Sequence, residues 1–140
     1  MRRPAAGLAA LLITGCGIFQ PGVPAWVANR QPLPACAAGA VEAESPEADA
    51  GQQCLLDAFL EGRGAELITA GEMETGDPLV SYVRIHENGT VEMFLNLGDD
   101  PFAPGAWERF RCEDVVPSGP SDVQAPGSFA LEACEQLPVP

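Results

Sequence analysis

The chain of 140 residues contains no lysine, one histidine and one tyrosine, and its basic side chains are few. Seven arginines stand against 20 aspartates and glutamates, so the formal net charge at neutral pH is −13. A protein that binds the phosphate backbone of nucleic acids needs a basic surface, and this charge balance excludes that class. Such an acidic surface repels anionic membrane surfaces and nucleic acids, and it attracts cations or basic proteins.

Long hydrophobic runs are also absent. The apolar run at residues 5–14 is far shorter than the ~20 residues of a membrane-spanning helix, and charge, glycine or proline interrupts every later run. Hydrophobic residues still make up 46% of the chain, which is enough to form the core of one small domain.

The amino terminus has the organisation of a bacterial export signal. Two arginines precede the apolar run, which ends in Ile13-Thr14-Gly15-Cys16. These four residues resemble the lipobox of bacterial lipoproteins at every position. The resemblance implies that Cys16 carries a diacylglyceryl group, that residues 1–15 are removed as a signal peptide, and that the new amino terminus is acylated. The alternative is an ordinary signal peptide that ends near a cysteine by chance.

Lipidation of Cys16 predicts a chain anchored at the extracytoplasmic face of a bacterial membrane. Removal of the leader leaves five basic against 20 acidic residues, a net charge of −15. We expect residues 16–44 to be a Pro/Ala-rich tether, because the prolines and glycines of residues 17–35 disfavour any helix or strand. Within it, Trp26 is expected either at the lipid interface or on the domain.

Residues 45–140 are predicted to form a small α+β domain. Residues 37–51 are expected to be poorly ordered before its helix, although Ser45-Pro46-Glu47 is a helix start and Gly62 a helix end. Between them, apolar residues recur at helical spacing: Ala50, Cys54, Leu55, Ala58 and Phe59. Strands are predicted at 65–74, 79–86, 90–97, 107–112 and 128–134. The expected architecture is one N-terminal helix packed on an antiparallel sheet of four to five strands.

Glu87-Asn88-Gly89 is the clearest turn in the sequence, and we predict a three-residue hairpin loop with Gly89 at positive φ. This register separates the two faces of the hairpin. The helix-facing side receives Leu79, Val83, Ile85, Val91, Met93, Leu95 and Leu97. The opposite side receives Tyr82, Arg84, Glu92 and Phe94, which form a candidate binding patch. The alternative is that Trp107 or the tether covers this patch.

Four cysteines follow the leader: Cys36, Cys54, Cys112 and Cys134. An even number in a small exported domain predicts two disulfides, for which three connectivities exist. We favour Cys36–Cys54 and Cys112–Cys134. The sequence has no Cys-x-x-Cys pair and one histidine, so a zinc site is not expected.

Short motifs between residues 36 and 134 resemble small secreted lipoproteins of GC-rich bacteria of actinobacterial type. They are residues 54–59 with Gly62, residues 76–78 leading to Val83-Arg84, and the cysteines at 112 and 134. Thr75 stands where an acid is expected. Because members of that group have no assigned activity, the resemblance supports the fold and the cysteine pairing only.

The sequence shows no arrangement typical of a catalytic centre. His86 is expected at an exposed strand end, because Glu87 beside it points to the opposite face. Ser81 is expected on the core side, without the glycines of a nucleophile elbow. Asp99 with Glu108 is a carboxylate pair of the hydrolase type, but nothing singles it out from other acid pairs.

Neither a metal nor a cofactor is expected. Asp99-Asp100 and Glu113-Asp114 lack the spacing of a calcium loop, so we interpret them as solvated acids.

We therefore predict an anchored extracytoplasmic lipoprotein that is not an enzyme and acts as a binding or interaction module, with no nucleic-acid partner, as a monomer. The alternative is an acidic inhibitor of a basic, lysozyme-like extracellular enzyme, and a carboxylate hydrolase is the third hypothesis. Capture of basic proteins that is lost at high salt would favour the inhibitor.

Overall fold

The computed structural model describes residues 22–72, 76, 78–96, 107–117 and 129–140. The predicted signal peptide, Cys16, Asp99, Asp100 and Leu97 therefore lie outside the described residues. Two helices and eight strands lie in this part of the chain: α1 Ala25–Ala28, β1 Ala35–Glu42, α2 Pro46–Glu61, β2 Ala65–Glu72, β3 Pro78–Ile85, β4 Val91–Asn96, β5 Trp107–Cys112, β6 Asp114–Pro117, β7 Phe129–Glu132 and β8 Glu135–Leu137.

Six strands form one sheet in the order β1-β2-β3-β4-β5-β8, in which only the β1–β2 pair is parallel. The predicted α+β class is confirmed, but the sheet is larger than the predicted four to five strands. β1 and β8, which the sequence analysis did not predict, form its two edges. The predicted strand at 128–134 pairs with β6 in a separate two-stranded ribbon.

β1 lies within the segment that the sequence predicts to be a tether and poorly ordered. Its sequence, ACAAGAVE, has little intrinsic strand propensity. Two features place it in the sheet: α2 provides the crossover that parallel strands require, and Cys36 of β1 is bonded to Cys54 of α2. Part of the predicted tether therefore belongs to the folded sheet.

α2 begins where the sequence predicts, although α1 and β1 precede it, so it is not an N-terminal helix. Ser45 Oγ accepts a hydrogen bond from the Ala48 backbone N–H at 3.1 Å, and Gly62 ends the helix at φ 66°. Ala50, predicted on the apolar stripe, is exposed, whereas Gly51 is buried. A Cβ at Gly51 would overlap the Leu67 side chain, so this glycine lets the helix approach the sheet closely.

The core between α2 and the sheet contains Leu55, Ile85 and Val91, each at most 1% exposed. Both predicted disulfides are confirmed, Cys36–Cys54 and Cys112–Cys134, with sequence separations of 18 and 22 residues. Loops of that length each contribute about 3 kcal/mol in the chain-entropy model. Together the bonds fix β1 to the helix and the end of β5 to the carboxy-terminal segment.

The β3–β4 hairpin has the predicted register. Ile85 lies opposite Val91, Arg84 opposite Glu92 and Tyr82 opposite Phe94. Gly89 has φ 83°, and its backbone N–H donates to the His86 carbonyl at 2.9 Å. The alternation of side chains along both strands therefore determines which residues face α2 and which face away.

α1 lies in residues 17–35, where the prolines led us to expect no helix or strand. Pro24 precedes its single turn, a place where the missing proline N–H costs no hydrogen bond. The backbone N–H groups of Val27 and Ala28 both donate to the Pro24 carbonyl at 3.0 Å. α1 packs against the sheet on the side opposite α2.

We expect Gly89→Val to lower the free energy of unfolding by about 1–2 kcal/mol, because a side chain at positive φ is strained. Asn88→Ala is the control. It removes one exposed hydrogen bond, from the Thr90 N–H to Asn88 Oδ1, and should cost about 0.5 kcal/mol. Urea denaturation of the two variants measures the difference. An equal loss in both would contradict the assigned turn.

Candidate functional site

The sheet face opposite α2, here called the second face, carries the predicted binding patch. Its aromatic half consists of Tyr82, Phe94 and Trp107, which are only 3–4% exposed. The Tyr82 and Phe94 ring centroids are 6.4 Å apart, as a cross-strand pair requires. Tyr82 and Phe94 lie on the predicted face, but both side chains are buried, whereas the sequence analysis expected them to be exposed.

Residues 22–31, here called the strap, cover this aromatic half. Trp26 meets Phe94 edge-on with ring centroids 5.0 Å apart, and Val27 is fully buried beside them. Trp26 therefore docks on the domain, the second of the two positions that its sequence allowed. The sequence analysis gave coverage of the patch by the tether as an alternative. The strap, which belongs to that predicted tether, does cover it.

Polar contacts fasten the strap at both ends. At its start, the Trp107 indole Nε1–H donates to the Gly22 carbonyl at 3.1 Å. At its end, Arg30 donates to both carboxylate oxygens of Glu66, at 2.7 and 2.6 Å, and Arg84 donates to the Gln31 carbonyl. A bidentate arginine–carboxylate pair fixes orientation as well as distance. The strap is thus an integral layer of the domain.

The charged half of the second face is a series of arginines and glutamates that alternate and form successive ion pairs, here called the ion-pair chain. Arg84, 3% exposed, contacts Glu66 at 2.8 Å and Glu92 at 3.2 Å. Glu92 also accepts from Arg109 at 2.7 Å and contacts His86 Nε2 at 2.8 Å. Each buried charge has an opposite neighbour, which buried ions require. The chain therefore links the strap through β2, β3 and β4 to β5.

Glu66 and Glu92, the two glutamates of the ion-pair chain, both ionise more readily than an ordinary carboxyl group. Burial raises the pKa of Glu66, but the hydrogen bonds and charges of Arg30 and Arg84 outweigh it, so the net shift is downward. Burial likewise opposes ionisation of Glu92, and Arg109 and His86 hold its pKa below the usual value. The Glu66 hydrogen bond in turn raises the pKa of Arg30.

His86 differs from the exposed strand-end residue that the sequence predicts. Its side chain is 23% exposed and contacts Glu92 rather than the adjacent Glu87. A histidine beside a carboxylate resembles part of a catalytic triad, but Arg84 and Arg109 share that carboxylate. Within the described ranges, the His86 side chain makes no hydrogen bond to a serine, threonine or cysteine side chain.

The other candidate residues lie elsewhere. Ser81 and Thr69 share a hydrogen bond of 2.7 Å between their hydroxyls, and Ser81 belongs to the helix-facing set of β3. Glu108 accepts from Gln136 at 3.4 Å, and its predicted partner Asp99 is outside the described residues. Glu113 and Asp114 are exposed. Among the described residues, no three His, Cys, Asp or Glu side chains form a group able to hold a metal.

An open concavity of about 650 Å³ lies at one end of the β1–β2 pair. Glu42, Glu44 and Glu72 line it together with small apolar residues and Leu79. These three carboxylates are exposed to solvent, so the concavity is an acidic part of the surface. None of the described residues that line it contributes a buried polar side chain.

The sequence analysis did not identify three participants in the second face, namely Arg30, Glu66 and Arg109, which are members of its ion-pair chain. The sequence did contain one signal for Glu66. It is a charged residue near the start of a largely apolar strand, and alternation along that strand places it on the face opposite Leu67. Its arginine partners come from distant segments, 36 and 18 residues away. Local patterns carry no information on such pairings.

Comparison with known proteins supplies no relative. No protein-family model matches the chain, and neither the curated proteins nor the solved structures contain a significant match.

We expect the ion-pair chain to make folding stability depend on pH. Because the pKa values of Glu66 and Glu92 are lowered in the folded state, their stabilisation is present above the unfolded pKa and is lost as pH falls through the folded pKa. The free energy of unfolding should therefore fall between about pH 5 and pH 3.

Glu66→Gln should show a shallower fall in this range, because one of the two shifted carboxyls is gone. Glu87→Gln, which changes an exposed acid in the hairpin loop, should keep the slope of the unmodified protein. Urea titrations at each pH provide the measurement. If Glu66→Gln and Glu87→Gln had the same slope, the ion-pair chain would not be the source of the pH dependence.

Proposed function

We propose that this chain is a lipid-anchored extracytoplasmic protein that acts as a non-enzymatic binding or interaction module. The observation that carries the proposal is the lipobox match at Ile13-Thr14-Gly15-Cys16. The disulfides support it, because four of the five cysteines bond to each other and Cys16 is the one left over. Two disulfides in a small domain are also typical of an oxidising, extracytoplasmic compartment.

An anchor on Cys16 would suit the rest of the chain. Neither helix of the described part is long and apolar enough to cross a membrane. Two or more acyl chains on one residue give stable membrane residence without a spanning helix. The proposal therefore assigns membrane attachment to the lipid and ligand binding to the disulfide-bonded domain.

The non-enzymatic part of the proposal draws on the charged half of the second face. The His86–Glu92 pair is the arrangement closest to an acid–base centre among the described residues. Its carboxylate neutralises Arg84 and Arg109, and its histidine is held at a strand end without a neighbouring nucleophile. Because Glu92 is already occupied by two arginines, we interpret the His86–Glu92 pair as a structural contact that stabilises the sheet and the strap.

The second candidate function is inhibition of a basic extracellular enzyme. The distribution of charge favours it: Arg30, Arg84 and Arg109 are engaged in ion pairs, while many carboxylates remain exposed. Such a surface would attract a cationic, lysozyme-like protein. Inhibition measured across ionic strength separates the candidates, because a charge-driven inhibitor loses affinity as the Debye length falls to ~3 Å at ~1 M salt.

Cys16→Ser should abolish membrane association when the full chain is produced in a bacterium that processes lipoproteins. The serine cannot accept the diacylglyceryl thioether, so no lipid anchor forms. The readouts are the share of protein retained in the membrane fraction after a carbonate wash and the mass of the amino-terminal peptide.

Thr14→Ser is the matched control, because it keeps a small residue at its lipobox position and leaves Cys16 in place. It should remain in the membrane fraction. Retention of the Cys16→Ser protein with the membranes, or an unmodified amino-terminal mass in the unaltered chain, would overturn the lipid anchor.

A further inference from the structure

We propose that the open edge of β1 binds an extended, basic segment of a partner protein, which adds to the sheet as a further strand. The inference rests on the proposed function as an interaction module, and it names the surface and the partner chemistry of that module. It does not depend on the lipid anchor. Two observations carry it: unpaired backbone groups on β1, and the sign of the charge around them.

β1 is an edge strand whose outer side is open. β2 pairs with one side of β1, and β1 lies at the end of the strand order of the six-stranded sheet. Ala38, Gly39 and Ala40, in the middle of the strand, are all exposed. The outer side of an edge strand presents N–H and C=O groups to which an extended peptide can add as a further strand.

The hydrogen bonds between β1 and β2 determine which backbone groups face outward. The Ala43 N–H donates to the Ala70 carbonyl at 2.8 Å, so Ala43 turns its backbone toward β2. Because successive residues of a strand turn these groups to alternate edges, Glu42 faces outward, and so does Ala40. The Glu42 carbonyl accepts from the Ser45 hydroxyl at 2.6 Å. Within the described part of the chain, the N–H groups of Ala40 and Glu42 and the Ala40 carbonyl are left for a partner strand.

An irregularity in β1 limits the regular open edge to its carboxy-terminal end. The register shifts between Ala35 and Ala40, and Gly39 has φ 87°. Such a bulge disrupts pairing of the first part of an edge strand. The segment from Ala40 to Glu42 is in regular register with β2 and borders the acidic concavity. The binding edge therefore lies where the carboxylates of the concavity are.

The charge around this edge has one sign. Residues 31–62, which include β1 and α2, contain no arginine or lysine. Their six acidic residues are Glu42, Glu44, Glu47, Asp49, Asp57 and Glu61, and all six are exposed. Glu61 is paired with Arg63 at 2.5 Å, and the other five make no ion pair within the described ranges. A surface of this kind selects a cationic partner.

The two faces of β1 favour a partner in which basic and apolar residues alternate. Glu42 is in register with Ala70, so it shares the second face with Glu72, two residues further along β2. Val41 lies on the other face, where it packs against the core under α2. Basic side chains on one face of the added strand would lie beside the glutamates, and apolar side chains on its other face would lie beside Val41.

A second copy of the chain fits this edge less well than a basic segment does. Pairing of two β1 strands would bring the Glu42 and Glu44 side chains of both copies to one edge, and each copy has a net charge of −13. Like charges on adjacent strands are destabilising. A basic segment gains the same backbone hydrogen bonds and is attracted by the charge.

The test measures the binding of short synthetic peptides to the purified full chain. The probe has eight residues in which lysine and valine alternate. A lysine–proline peptide of equal length and charge is one control, because proline cannot donate the hydrogen bonds of a strand. A glutamate–valine peptide is the other, because it keeps the alternation and reverses the charge. Calorimetric titration at low ionic strength measures each affinity, and amide hydrogen exchange followed by NMR locates the bound peptide.

The lysine–valine peptide should bind at least ~10-fold more tightly than either control. Amide exchange of Ala40 and Glu42 should slow at least ~3-fold at saturation, while that of Asn88 in the hairpin loop stays unchanged. Glu42→Gln combined with Glu72→Gln should weaken binding about fivefold. Glu87→Gln, which changes an exposed acid in the hairpin loop, is the matched control and should leave the affinity unaltered.

Each contrary result overturns the inference at a different step. Equal affinity for the lysine–proline peptide would show that charge alone binds, without an added strand, and binding of no peptide would refute the inference outright. Binding without protection of the Ala40 and Glu42 amides would place the peptide on another surface, so that the interaction module would stand and this assignment would fall. Self-association that protects the same amides in the absence of peptide would make a second copy the occupant. Membrane fractionation of Cys16→Ser tests the lipid anchor independently of all these results.

Discussion

The ion pair between Arg30 and Glu66 determines how the amino-terminal part of this chain is organised. Its two short hydrogen bonds join the strap to β2, and the Glu66 carboxylate also forms an ion pair with the buried Arg84. Removal of Glu66 would leave Arg30 without a carboxylate partner and Arg84 paired with Glu92 alone. Loss of one member of a largely buried ion pair typically costs several kcal/mol. The strap residue Arg30 is therefore the first member of a connected series of ion pairs that continues through Glu66, Arg84, Glu92 and Arg109.

The strap explains why the sheet carries buried aromatic side chains on the face opposite α2 as well as a core beneath α2. An antiparallel sheet in a small protein commonly packs one face on its core and leaves the other to water. Here α2 covers one side, and the strap covers the aromatic half of the other with Trp26 and Val27. The arginine cations above Tyr82 and Phe94, 4.6 and 5.3 Å from the ring centroids, complete the contact between the aromatic and charged halves.

This arrangement relates fold to proposed function through a short physical chain. A lipid on Cys16 would hold the chain six residues before Gly22, and hydrogen bonds to Trp107 and Glu66 fix the strap to the sheet. The exposed carboxylates of the domain would then be available to a basic soluble partner. The strap thus connects the proposed anchor directly to the folded domain.

Local sequence patterns predicted the features that depend on neighbouring residues. The Ser45 cap, the Gly62 helix end and the Gly89 turn each follow from the conformational preference of one residue, and the hairpin register follows from alternation. The favoured disulfide pairing, one of three possible connectivities, is the one found. These predictions were sufficient to assign the α+β class.

The same reasoning failed where distant segments decide the structure. The prolines of residues 17–35 argued against a helix, but α1 is held by tertiary packing: Trp26 contacts Phe94, and Val27 is buried in the same cluster. β1 was missed because alanine and glycine have low strand propensity, and a disulfide and a crossover helix place it in the sheet. The binding patch was placed on the correct face, but its cover comes from the sequence-distant strap.

The central claim is that the strap is a structural layer of the domain and not a flexible spacer. The most direct test compares the unfolding free energy of a chain beginning at residue 17 with that of a chain beginning at residue 32, by urea denaturation with both disulfides intact. Loss of the buried Trp26–Val27 contact and of the Arg30 partner of Glu66 should lower stability by more than about 3 kcal/mol. Equal stability of the two chains, within about 0.5 kcal/mol, would contradict the account.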